Sequence, residues 1–136
     1  MLCNVVFATY LVAASVSDIK THRVPLWMGL AAAGTRAVFL AIPGSRPLAY
    51  ILPAALLFGI LSAMAVFGGL GGADCIAGTL CGLYMGFAGI WAILFASAAA
   101  LPYTLYMRFN VKEKEYPFLP FIAGGAALAA CIHYIG

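Results

Sequence analysis

Long apolar runs alternate with short polar or glycine- and proline-rich breaks along this chain, and the pattern predicts six helical segments. Leu2 to Ser17 is the first, short for a membrane span at about 24 Å of helix. Asp18 to Val24 interrupts it with polar and basic residues, and Pro25 suits the start of the next helix. Leu26 to Ile42 forms the second segment. Pro43-Gly44-Ser45-Arg46-Pro47 then turns the chain, and Leu48 to Phe67 forms the third. The cluster Gly68-Gly69-Leu70-Gly71-Gly72-Ala73-Asp74 follows. Cys75 to Met107 is too long for one span of about 20 residues and short for two. Gly86-Phe87-Ala88-Gly89 is its natural break, giving a short fourth helix and a fifth from Ile90 to Met107. Arg108 to Tyr116 is a charged loop, and Pro117 to Ile135 is the sixth segment, entered through Pro117 and Pro120.

Composition turns these helices into membrane spans. The chain is 65% hydrophobic and 8% charged, where a soluble domain carries roughly a quarter charged residues. The expectation is an all-α integral membrane protein of about six spans, with residues 1–136 forming one membrane-embedded domain. A net charge of +3 is small and confined mostly to loops, so nucleic acid is not an expected partner. The basic residues read instead as topology signals. Lys20, Arg23, Arg108, Lys112 and Lys114 fall in the first and fifth loops, and only Arg46 in the second. This places the N-terminus outside and the first, third and fifth loops in the cytoplasm. The first segment is not read as a signal peptide, because its basic residues follow it, although Ala13-Ala14-Ser15 resembles a cleavage site. Cys3, Cys75, Cys81 and Cys131 form no C-x-x-C pair and read as small buried hydrophobes; no metal or cofactor is expected.

Within this apolar chain two carboxylates stand out. Asp74 is the only acid between Ile19 and Lys112, and Asp18 is the only other one set against an apolar segment. An acid at the edge of a span is costly to desolvate, so it is a functional candidate. Two spans separate the pair, so both emerge on the same, cytoplasmic, face. Gly78, Gly82 and Gly86 recur every four residues and put three glycines on one face of the fourth helix, where a neighbour can approach closely. Arg36 falls inside the second span. It can snorkel outward, bind a lipid phosphate or face a polar cavity, and snorkelling is the preferred reading. His22 and His133 read as solvated or interfacial, and Trp27 and Tyr116 as anchors at the membrane boundary.

The surroundings of the two acids resemble those of the type IV prepilin peptidases, a family of membrane aspartic proteases. That family's first motif is an aspartate ending a helix, then basic residues, a hydrophobic residue and proline. Asp18-Ile19-Lys20-Thr21-His22-Arg23-Val24-Pro25 matches it. Its second, Gly-x-Gly-Asp, is met loosely by Gly71-Gly72-Ala73-Asp74, and its proline-rich entry to the last helix by Tyr116-Pro117-Phe118-Leu119-Pro120-Phe121. The resemblance implies a GxGD-type aspartic protease-like core with Asp18 and Asp74 as the catalytic pair. Lys20, Pro25, Gly71, Gly72, Ala73, Pro117 and Pro120 would support the motifs. Two departures stand against the pattern: Ala73 replaces a glycine, which favours a more helical backbone there, and Ile76 stands where many relatives have lysine.

By the same resemblance the substrate is a prepilin or pseudopilin with a basic leader and an apolar N-terminal helix, cleaved at the cytoplasmic face of a bacterial inner membrane. The chain lacks the cysteine-rich insertion associated with N-methylation, so it looks like the minimal form found in Flp/Tad-type pilus systems. Two close carboxylates cannot both ionise cheaply and share a proton, which suits them to activate water without metal or covalent nucleophile. The competing readings are a small proton-coupled transporter or channel component, and an inactive membrane protein of pilus assembly. The oligomeric state is open.

Overall fold

The computed structural model describes residues 2–21, 23–67, 71–110 and 118–135. They form six α-helices: α1 (Leu2–Thr21), α2 (Leu26–Leu40), α3 (Leu48–Val66), α4 (Gly72–Met85), α5 (Ala88–Asn110) and α6 (Leu119–Ile135). There is no strand among the described residues. The all-helical expectation is met, and the boundaries differ in physically informative places. α1 does not stop at Ser17 but carries Asp18 and Lys20 in its last turns. A lysine there meets the carbonyl end of the helix, where a cation is favoured. α4 starts three residues earlier than Cys75, at Gly72, so Asp74 lies inside the helix and not before it. His22, Gly68, Gly69, Leu70, Lys112, Tyr116 and Pro117 lie outside the described residues.

Breaks between helices follow local chemistry. Pro25 stands as the N-cap of α2 with φ −61° and ψ 129°, conformationally prepared to start a helix. Gly86 ends α4 at φ +61° and ψ −135°, a backbone that side chains rarely adopt. Its N–H closes the helix on Gly82 O at 2.8 Å. α5 begins two residues later, which lets α4 and α5 fold back on each other with only Gly86 and Phe87 between them.

α4 organises the bundle. It is only 14 residues long, yet it packs against each of the other five helices. Cys75, Ala77, Gly78, Leu80, Cys81, Gly82 and Tyr84 are all buried, so the helix is enclosed around most of its circumference. Its small residues make this possible. A side chain at Gly82 would stand 2.8 Å from the backbone of Ala54 and 3.0 Å from that of Pro53, both in α3. Gly78 receives the Leu61 side chain from the same helix. The glycine face therefore joins α4 to α3, its neighbour in sequence. On the opposite flank, Phe7 of α1 stacks on Tyr84 with ring centroids 4.7 Å apart.

The outside of the bundle is a coat of large apolar side chains, among them Val5, Leu30, Ile51, Phe58, Trp91 and Leu128, all exposed. Water does not tolerate such a continuous surface and lipid does. Among the described residues α1, α3 and the Ala88–Met107 part of α5 are long and apolar enough to cross a membrane. α2 and α6 are apolar but shorter, at 15 and 17 residues.

Candidate active site

The two acids meet at one end of the bundle. Asp18 lies near the C-terminus of α1 and Asp74 in the first turn of α4, and the Asp18 charge acts directly on Asp74. Both are half-buried. Here α1 ends where α4 begins, so two helices running in opposite directions bring together residues 56 positions apart in sequence.

Asp74 is held by its local backbone. Gly71 is the N-cap of α4, and its N–H donates to the Asp74 carboxylate, while Asp74 N–H donates to Gly71 O at 3.2 Å. This is the reciprocal arrangement in which the third helical residue reaches back to the cap, and it fixes the side-chain direction. Gly71 has an ordinary extended backbone, φ −78° and ψ 154°, so no unusual dihedral calls for glycine. The need is for space: a Cβ would sit 3.3 Å from Asp74 Oδ2. Gly72 and Ala73 occupy the first two helical positions. Among the described residues nothing lies within 4 Å of where a Gly72 side chain would start, and Ala73 packs on the core. The helical backbone expected from Ala73 is what the structure has, since no positive φ occurs there.

Around Asp18 the chain leaving α1 is tied down by hydroxyls. Ser17 Oγ donates to Arg23 O at 2.8 Å, and Thr21 Oγ1 lies 3.0 Å from the same oxygen and 2.8 Å from Ser17 O. These hydroxyls tie Arg23, just past the helix, back to the last turn of α1. Sequence reasoning missed this clasp; its signal was a pair of hydroxyl residues four apart, just before a break. Lys20 is exposed, about half a turn from Asp18 along α1.

A second contact missed from sequence sets the spacing of α1, α2 and α4 near the acids. Gly29 of α2 leaves a notch filled by Ile76 of α4, whose Cγ2 would be 2.6 Å from a side chain there. The Tyr10 hydroxyl of α1 borders the same notch at 3.8 Å, and Tyr10 lies within electrostatic reach of Asp74. Ile76, which departs from the charged residue of many relatives, is thus a packing residue between α2 and α4.

The expected snorkelling of Arg36 is not what the structure shows. Its Nε donates to Leu83 O in the last turn of α4 at 3.1 Å, and its guanidinium lies 4.4 Å from the centre of the Tyr50 ring. Inward contacts win because α4 ends in unpaired carbonyls that attract a cation, and two aromatic faces line the way. Pro120 stands in the first turn of α6. Asn4 Nδ2 donates to Tyr134 Oη at 3.1 Å, joining the start of α1 to the end of α6, so Pro120 lies at the end of the bundle that holds the acids. Among the described residues no three His, Cys, Asp or Glu side chains gather as a metal site.

A helical bundle with an apolar coat and long apolar helices is the architecture of an integral membrane protein, and here it carries a pair of acids at one end. The family model described as type IV leader peptidase matches residues 5–106, which include both acids, most of α1, all of α2 to α4 and most of α5. The chain belongs to the type IV leader peptidase family. α6 and its proline-rich entry fall outside the matched stretch. No curated protein and no solved structure matches the chain.

Proposed function

We propose that this protein is an aspartic endopeptidase that removes the short basic leader from prepilins or pseudopilins. One observation carries the reading: the carboxylates of Asp18 and Asp74 interact across the end of α1 and the start of α4, inside the stretch matched by the leader peptidase family. Paired carboxylates hold one proton between them over a range of pH. The ionised member takes a proton from water as its oxygen attacks the scissile carbonyl carbon. The protonated member donates to the carbonyl oxygen. Collapse of the tetrahedral intermediate then breaks the C–N bond, and the amine leaves with the proton the first carboxylate had taken.

The charge pattern supports the membrane side. Lys20 in the last turn of α1 and Arg23 just beyond it flank the acid end, and basic residues at a span's end favour the cytoplasm. A bacterial inner membrane with the acids at its cytoplasmic face is therefore the proposed location. A substrate with a basic leader in the cytoplasm and an apolar helix in the membrane would present its cleavage bond at that interface. Methylation of the new N-terminus is not assigned to this chain, because no cysteine-rich segment interrupts its helices. Purified protein in detergent, incubated with a prepilin carrying a short basic leader, should shorten it by the leader on a gel. A substrate that stays full-length with folded protein overturns the reading.

A further inference from the structure

At the end of the bundle away from the acids the helices enclose a cavity of about 800 Å³. That is within the roughly 300–1,000 Å³ of small-molecule sites. Its floor is polar: Arg36, Tyr50 and Tyr84 line it, with Asn4, His133 and Tyr134 at the ends of α1 and α6. Its walls are apolar, built from Ala8, Leu11 and Val12 of α1 and from Ala123, Ala127 and Ala130 of α6. Leu2, Ala8, Val12 and Ala127 are exposed, so the cavity opens through the apolar coat. Asn4 and Asp18 are about 21 Å apart along α1, which separates this cavity from the acid pair.

Arg36 is the feature that needs a partner. A guanidinium carries five N–H donors, and its Nε is spent on Leu83 O. The Tyr50 and Tyr84 rings, 4.4 and 5.5 Å from its central carbon, fix its plane. Tyr84 is itself pinned, donating to Ala32 O at 2.6 Å. Among the described residues lining the cavity none is acidic, and no other hydrogen bond of Arg36 is made to a described residue. A cation inside an apolar bundle is costly without an opposite charge. The planar fork of arginine matches two oxygens of a phosphate.

We propose that this cavity binds an anionic membrane phospholipid, with Arg36 holding the headgroup phosphate and the alanine-rich faces of α1 and α6 seating the start of its acyl chains. The shared chemistry is a phosphate oxyanion; the apolar walls and the opening to the coat select the one that comes from lipid. Tyr50 and Tyr84 keep the guanidinium in place, and no covalent step is involved.

The test is native mass spectrometry of the whole protein in mild detergent. Its probes are dioleoylphosphatidylglycerol, dioleoylglycerol with the same chains and no phosphate, and inorganic phosphate as competitor. Wild-type protein should retain one phosphatidylglycerol and not dioleoylglycerol. Arg36→Met should weaken retention by about tenfold or more, as for lost hydrogen bonds to a charged group. Ala127→Phe, which fills the cavity and leaves Arg36 intact, should do the same, and it decides the matter if Arg36→Met does not fold. Equal retention of dioleoylglycerol, unchanged binding in both folded variants, or displacement of the lipid by inorganic phosphate at matched concentration each overturns the assignment. The wild-type comparison of the two lipids stands whatever the variants do. Because the readout is binding and not cleavage, its failure leaves the peptidase reading untouched.

Discussion

The two ends of α4 solve the same electrostatic problem in opposite ways. At the N-terminus four backbone N–H groups lack helical partners, and a carboxylate from the helix itself, Asp74, turns back to the cap. At the C-terminus the unpaired groups are carbonyls, and a guanidinium from another helix, Arg36, reaches Leu83 O. Charge suits dipole at both ends. The difference lies in what surrounds them. The Arg36 end is clamped by two aromatic rings and by a glycine turn that only glycine adopts without strain. At the Asp74 end a second acid, Asp18, lies within electrostatic reach. Two neighbouring acids make it costly to ionise both, a demand that the Arg36 end does not carry. That asymmetry is the physical argument for chemistry at the acid end.

Removing either acid should break the comparison most severely. Asp18→Asn and Asp74→Asn keep volume and abolish the shared proton, so cleavage should fall by about 10²–10⁴. The double variant should be little worse than either single one, since the two act as a unit. Melting of Asp74→Asn in detergent should stay level or rise, because a half-buried charge beside a second acid has been removed. Leader removal on a gel at matched protein levels measures the first, and a thermal scan the second. Cleavage by Asp74→Asn at the wild-type rate would reduce the acid pair to packing. Glu113→Gln and Glu115→Gln, which change the only other acids, should cleave normally.

The α3–α4 seam ranks next. Gly82→Leu would push a side chain into the Pro53–Ala54 backbone, which cannot rotate away. A loss of about 3 kcal/mol is expected, at the upper end of overpacking costs. Here melting and cleavage should fall together, unlike in the acid variants. A folded Gly82→Leu protein with wild-type melting would mean that the close approach of the two helices is not needed.

At the Arg36 end a smaller effect sharpens the contrast. Tyr84→Phe keeps the ring that stacks on Phe7 and faces Arg36 but removes the donor to Ala32 O. Loss of that hydrogen bond should cost about 1 kcal/mol, lowering the melting temperature with cleavage unchanged. A drop in cleavage without a drop in melting would show that this end communicates with the acids.

Much of this organisation was legible in the chain. Apolar runs and breakers located the six helices, and the isolation of Asp18 and Asp74 in an uncharged sequence marked the pair. The glycine spacing of 78, 82 and 86 pointed to a close approach, though not to α3 as the partner. What sequence could not yield were contacts between helices distant in the chain. Arg36 lies 47 residues from Leu83, and nothing local says that it turns inward. The notch of Gly29 that receives Ile76 is likewise visible only once α2 and α4 are packed. Helix ends slipped where polar residues stayed helical: α1 runs through Asp18 to Thr21, and the Ser17 and Thr21 hydroxyls hold the chain beyond it at Arg23 O.

The smallest predicted effect is the most discriminating, because it touches the acid end without removing either acid. Gly71 adopts φ −78°, a conformation open to alanine, and its N–H would survive the substitution. The added methyl of Gly71→Ala would sit 3.3 Å from Asp74 Oδ2, tighter than ordinary contact, so the carboxylate must move by a few tenths of an ångström. Stability should change by less than about 0.5 kcal/mol, as for surface positions free of strain. Cleavage should nevertheless fall several-fold, because a misplacement of about 1 Å can cost as much as 10² in rate. The paired control is Gly72→Ala, one residue on, where among the described residues nothing lies within 4 Å of the new methyl. That variant should melt and cleave as wild type does. If Gly71→Ala and Gly72→Ala cleave alike, the position of the Asp74 carboxylate is not limiting, and the glycine before it serves only to begin the helix.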